Sequence, residues 1–200
     1  MASAQHPFDD LHRKIETTTR ARYIAANRLA THQRFSQWIL AALSVELILI
    51  PLFQAMNVPL RTSPEVLNAI EVFLAVLVLA YSQLLGAENY ALHADKMLSS
   101  GRELGRLNRE LTPYIGKPYD AAIYMQFVER YHDILDKYAN HADVDYDVYR
   151  LKNRRTFYPQ TSSFVWAWIT TRMRYGAGYL HYSLVLVFTG LSILYIFYWQ

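Results

Sequence analysis

The sequence predicts an all-α integral membrane protein: a two-span antiparallel hairpin, a third C-terminal transmembrane helix, and a cytoplasmic helical bundle built on extended stalk helices. Three observations carry that expectation. The apolar residues gather into three runs of spanning length, the charges stand in blocks between them, and Lys and Arg are distributed unevenly over those blocks. Hydrophobic residues are 52% of the 200-residue chain and charged residues 18%. The mean hydropathy of -0.00 is therefore the average of two unlike kinds of segment.

The first run, Trp38 to Met56, has 19 residues with one charge, and the second, Val66 to Leu85, has 20 with a single acid, Glu71. The third, Tyr179 to Trp199, has 21 residues and no Asp, Glu, Lys or Arg, with aromatic residues concentrated toward its ends. A spanning helix needs roughly 20 such residues. Between the first two runs, Pro59 and Pro64 make a short stiff connector. The expected organisation is an N-terminal helix at 1–37, a hairpin at 38–85 (spans 38–56 and 66–85), a polar helical region at 86–178, and a third span at 179–199.

Orientation follows from the basic residues. Arg13, Lys14, Arg20, Arg22, Arg28 and Arg34 precede the first span, whereas the connector carries only Arg61. Residues 86–178 carry 13 Lys or Arg, with Lys96 soon after the second span and Arg172 and Arg174 just before the third. By the positive-inside rule the N terminus and central region are cytoplasmic and the C terminus lies outside. The net charge of +3 then fits a membrane-facing surface. Direct nucleic-acid binding is not expected, since no arginine-rich arm or recognition motif accompanies it.

Leu11 to Gln37 contains no Pro or Gly and can run as helix straight into the first span. Its apolar stripe, Leu11, Ile15, Thr18, Arg22, Ala25 and Leu29, is diluted by Thr18 and Arg22. A helix leaving the second span is expected to loosen near Gly101 and Gly105 and to break at Pro113, Gly116 and Pro118. Another begins near Tyr119 with Asp120 as a first-turn acid, and Ile123, Phe127, Tyr131, Ile134 or Leu135, and Tyr138 give it a packing face. Further on, Ser162 or Ser163 caps a segment holding Trp166, Trp168, Arg172 and Arg174. That segment either lies in the headgroup zone or packs on the bundle.

No catalytic residue, cofactor or metal is expected. The chain lacks cysteine, HExxH, GxGxxG, GxxxxGK and GxSxG. The nearest constellation is Asn140, His141, Asp145 and Tyr146 in NHADVDYD, with His132 and Asp136 repeating the four-residue spacing. It reads as a joint that caps a helix and fixes a turn, with a divalent metal as the other reading. Glu46 stands eight residues into the first span, roughly 12 Å by helical rise, where an acid is costly. It is open to three readings: a pore-facing or water-facing group, a protonated interhelical donor, or a tolerated accident. Glu71 is easier to hydrate, and Pro51 is expected to remove a backbone bond and kink the first span. Three helices are too few to enclose a pathway, so a channel requires a homo-oligomer.

The basic helix RARYIAANRLATHQRFSQWILAALSVELILI, the tight hairpin, the helix AENYALHADKMLSSGRELGRLNREL and the stretch YHDILDKYANHADVDYDVY together resemble the SLATT family of bacterial membrane effectors, in the form with an additional C-terminal span. The resemblance implies an effector in antiphage conflict systems that forms pores or disrupts the inner membrane. It also implies a separately encoded partner: a sensor, a nucleotide synthase or a reverse transcriptase. A non-conducting scaffold for a cytoplasmic defence complex is the alternative, and a membrane enzyme the third.

Overall fold

A computed structural model describes residues 6–60 and 62–198, with side chains through residue 196. Arg61, Trp199 and Gln200, used above to set orientation and the end of the third run, lie outside the described residues. Every regular element among the described residues is helical.

Helix α1, Pro7–Ala55, is one uninterrupted helix of 49 residues. Pro7 occupies its first position, where a missing N–H costs nothing, and Asp9 and Asp10 in the first turn complement the helix dipole. Its interior contains no Gly, and the helix continues through Pro51 to Ala55. It ends in a Schellman closure: Asn57 adopts φ 53°, Val58 N–H donates to Phe53 O (3.0 Å), and Asn57 N–H donates to Gln54 O (3.1 Å).

Helix α2, Pro64–Glu88, again begins on a proline, and Asn89 at φ 42° joins it to α3, Tyr90–Leu111. A 3-10 turn at Thr112–Tyr114 and Gly116 at φ 74° then reverse the chain. Asp120 is the N-cap of α4, Ala121–Lys137, accepting from Ala122 and Ile123 N–H at 2.9 and 3.2 Å. Helices α5, Asp143–Lys152, α6, Arg154–Phe157, α7, Thr161–Ala177, and α8, Leu180–Tyr198, complete the chain. Neither Ser162 nor Ser163 caps α7, which begins one residue earlier; the Ser163 hydroxyl donates to Gln160 O.

Two compact units result. The first, Met1–Ala30 with Ala91–Tyr175, is built on an antiparallel packing of α1 and α3, in which Tyr23 meets Gly101 and Thr19 meets Gly105. Phe8, Leu11 and Ile15 of α1 interlock with Leu104, Leu107 and Leu111 of α3 and Phe127 of α4. Fully burying each such side chain contributes about 1.5–3 kcal/mol before entropy is counted. The expected loosening at Gly101 and Gly105 does not occur, since α3 is continuous through both. A Cβ on Gly101 would stand 3.1 Å from the Tyr23 ring, so this glycine permits close approach rather than flexibility.

The second unit, Thr31–Tyr90 with Gly176–Gln200, packs Ile39, Leu43 and Ile50 of α1 with Leu67 and Leu74 of α2 and Tyr182 and Ile196 of α8. Its outer face is also apolar: Trp38, Ile48, Val72, Leu79 and Leu184 are all more than 60% exposed. A surface of that kind matches hydrocarbon as its solvent, and helices are the form in which backbone groups are satisfied there. Ser36 meets Tyr182 and Glu46 meets Ser192, both pairs separated by 146 in sequence. The constant offset means that α8 runs parallel to α1.

Two helices, not three, are each long and apolar enough to cross a membrane among the described residues: α1, and α2 together with its continuation. The third run qualifies only as a pair, α7 with α8, bent at the break between them. Gly178 lies at that break, and α8 itself has 19 residues, described with side chains through Ile196.

The α1–α3 packing makes Gly101→Leu an informative substitution. It should destabilise the polar unit by about 1–3 kcal/mol through overpacking against Tyr23, read as a lowered thermal midpoint. Gly86→Ala, inside α2 with nothing within 4 Å of the new Cβ, should not lower stability, since alanine favours the helix by about 0.5–1 kcal/mol over glycine.

Candidate functional site

Four polar groups that α1 buries, Arg22 in the first unit and His32, Ser36 and Glu46 in the second, are each met by a residue from the C-terminal half of the chain. Arg22 is 1% exposed. Its Nη1 donates to Ala139 O, two residues past the end of α4, where the unsatisfied carbonyls of the helix favour a cation. The same nitrogen lies 3.5 Å from Met97 Sδ. Burial pushes the guanidinium below its ordinary value, and Nε has no hydrogen-bond partner among the described residues.

One turn and a half further on, Arg28 forms a two-point ion pair with Asp145: Nε to Oδ1 at 2.8 Å and Nη2 to Oδ2 at 3.0 Å. Asp145 is completely buried. Its Oδ2 also accepts from Ala142 N–H at 3.2 Å, which fixes the first turn of α5. Around it, Asn140 Oδ1 accepts from His141 N–H at 3.0 Å, and Tyr146 stacks on Tyr149. Burial lowers the His141 pKa, and the nearby Arg22 cation adds to the effect against smaller opposing contributions from Asp145 and Asp143. Among the described residues no group of three or more His, Cys, Asp or Glu converges as metal ligands. His132 and Asp136 are both exposed. A second link, from α3 to α4, puts Lys137 Nζ and Tyr138 OH each 2.7 Å from Glu103 Oε1, holding that carboxyl below its usual range.

In the apolar unit, His32 is buried and stacks on Tyr179 with centroids 4.2 Å apart, while Nδ1 lies 3.1 Å from Tyr182 OH. Tyr182 OH also lies 2.9 Å from Ser36 Oγ. Ten residues along, Glu46 is 4% exposed. Its Oε1 accepts from Ser192 Oγ of α8, which is also 2.9 Å from Thr189 O. Glu46 Oε2, Thr189 Oγ1 and Glu71 Oε1 are buried without hydrogen-bond partners among the described residues. Pro51 is exposed on the outer face of α1.

On α7, Trp166, Trp168 and Met173 are exposed, Arg172 is exposed, and Arg174 Nη1 reaches Asp147 Oδ2 at 2.9 Å. Sequence reasoning named Glu46, Asp145 and the aromatic helix, but it missed the partners. Arg22 counted only as a flaw in a stripe, Arg28 only as a charge, and Ser192 not at all. A charged residue in register with Leu11 and Ile15 was the available signal for Arg22.

Removing one member of the buried pair leaves the other uncompensated, so Asp145→Ala should cost about 3–5 kcal/mol. The joint replacement Arg28→Met with Asp145→Leu should cost less than Asp145→Ala alone, as a double-mutant cycle on thermal unfolding will register. The lowered His141 pKa gives a second expectation. Stability from neutral His141 is complete above its ordinary value of 6.5 and declines as pH falls below it. His141→Gln should flatten that part of the stability-against-pH curve.

Compared with known proteins, residues 4–196 match the model of SMODS and SLOG-associating 2TM effector domain family 5. No curated protein and no solved structure matches the chain. The match covers both units and nearly the whole sequence, and its two-span description agrees with the two qualifying helices. The chain therefore belongs to this SLATT family, and it is a membrane effector module of nucleotide-linked antiviral defence.

Proposed function

We propose that the protein is a silent membrane-disrupting effector that opens a leak as a homo-oligomer when a separately encoded nucleotide-sensing or nucleotide-making partner signals infection. The observation that carries this reading is the enclosure of Glu46. An acid placed well inside a span and covered by Ser192 of the parallel helix α8 is a polar group held out of use. One Ser192 hydrogen cannot serve both Glu46 Oε1 and Thr189 O, so either a protonated Glu46 donates to Ser192 Oγ or one of the two acceptors goes without that hydrogen. Either state leaves the α1–α8 contact dependent on a few hydrogen bonds, which a contact between copies can replace.

In this reading α8 crosses the membrane beside α1. Its parallel course, its register of 146 and its lack of charges support a third crossing that enters from the same side as α1. The Thr62 hydroxyl, 3.5 Å from Tyr195 O, supports an α8 that reaches the level of the outer connector. The N terminus and polar unit are then cytoplasmic and the C terminus outside. Glu71 and Pro51 belong to the surface that rearranges or assembles, and Trp166, Trp168, Arg172 and Arg174 lie in the headgroup zone. A non-conducting scaffold is the competing reading, favoured by the same enclosure of Glu46 within one chain.

Dye release and conductance from reconstituted liposomes separate the two. A partner-dependent leak is expected. Ser192→Ala removes a hydrogen bond of about 1.5 kcal/mol and should lower the partner concentration needed by roughly tenfold. Glu46→Leu should reduce the leak while leaving insertion intact. Verified insertion and partner binding without any leak would establish the scaffold instead.

A further inference from the structure

The polar unit contains a cavity of about 380 Å³ between α1, α4, α5 and α6 that no role described above uses. Its volume falls in the range of small-molecule clefts. Arg13 and Lys14 are among its lining residues, with charged ends on Asp10 beside it and side chains 61% and 64% exposed, free to turn toward a ligand. Tyr131, Tyr149 and Phe157 supply half-buried rings. Phe157 stands edge-on to Tyr149 with centroids 5.8 Å apart. Hydroxyl groups complete the wall: Thr18 Oγ1 lies 3.0 Å from Tyr131 OH.

The charges are not balanced. Arg13 and Lys14 share one carboxylate, Asp10, at 2.7 and 3.1 Å, and these contacts hold Asp10 ionised. Two cations on one anion leave a positive charge available to a ligand. A bare inorganic anion would leave the rings unused, an apolar ligand would leave the cations unmatched, and a cationic ligand would be repelled. The combination suits an anion joined to a flat aromatic group.

We propose that this cavity binds a nucleotide, its base against the tyrosine and phenylalanine rings and its phosphate on Arg13 and Lys14. The ligand would then act directly on the chain, in addition to any partner. This regulatory meaning rests on the effector reading, but binding itself does not. Occupancy ties α1 to α5 and α6 at residues 13–18, on the same continuous helix that carries Glu46.

The test is equilibrium binding to the full chain in detergent or nanodiscs, using AMP, GMP, CMP and UMP, with adenosine, ribose 5-phosphate and a phosphotyrosine peptide as comparators. At least one nucleotide should bind saturably, one per chain, and at least tenfold more tightly than the base-only or phosphate-only comparators. Arg13→Gln with Lys14→Gln should weaken binding by at least tenfold. Tyr149→Phe should retain it and Tyr149→Ala should lose it, with circular dichroism and detergent gel filtration confirming folded variants. Three results would overturn the proposal: no saturable binding of any of the four, binding indifferent to the Arg13 and Lys14 changes, or preference for the phosphotyrosine peptide. Liposome leakage is read separately. Nucleotide binding with no leakage even when the partner is bound contradicts the effector reading alone, and leakage without nucleotide binding contradicts the nucleotide site alone.

Discussion

Burying a polar or charged side chain without a partner costs several kcal/mol, and α1 buries Thr19, Arg22, His32, Ser36 and Glu46 and half-buries Arg28. That constraint organises the whole chain. The apolar stripe alone would let α1 pack on many surfaces, whereas these groups accept only particular partners. Arg22 needs carbonyls and finds Ala139; Arg28 needs a carboxylate and finds Asp145. His32 and Ser36 meet Tyr182, and Glu46 meets Ser192. Each partner is supplied more than 100 residues later in the chain, so the long single helix serves as the template on which the C-terminal half is folded in both units.

The solvents of the two units explain why their seams differ. In the polar unit, leucine and phenylalanine are drawn together by water, and the Arg28–Asp145 pair adds geometric selectivity to a core that already has cohesion. In the apolar unit, lipid competes equally for every leucine, so hydrophobicity gives little reason for α8 to choose α1. There the hydrogen-bonded side chains along the seam carry the choice. A seam defined by a few polar contacts can be remade between copies without much loss of packing, which suits the proposed change from a silent to an assembled state.

Much of the architecture was legible. Uninterrupted apolar runs announced α1 and α2, the absence of Pro and Gly over 11–37 allowed α1 to be read straight into its span, and Asp120 marked the start of α4. What stayed hidden was pairing at long sequence separation. Nothing local to Arg28 points to Asp145 across 117 residues, and Ser192 looks like any small polar residue in an apolar run. Gly101 was misread for a related reason: helix propensity treats glycine as a weakness, while the packing partner that requires it, Tyr23, is visible only in three dimensions. The third run was expected to be one span from 179 to 199. Among the described residues that run forms the 19-residue α8, which follows a break at Gly178 and qualifies together with α7.

In the proposed arrangement α8 crosses the membrane beside α1 and thereby covers Glu46. The absence of native cysteine makes its topology directly measurable with single introduced cysteines at Asn57, Lys96 and Gln200, labelled by a membrane-impermeant maleimide in spheroplasts before and after permeabilisation. The account predicts labelling of positions 57 and 200 in intact cells, and of position 96 only after permeabilisation. If position 200 instead behaves like position 96, α8 does not cross, and the covering of Glu46 by a parallel spanning helix is contradicted.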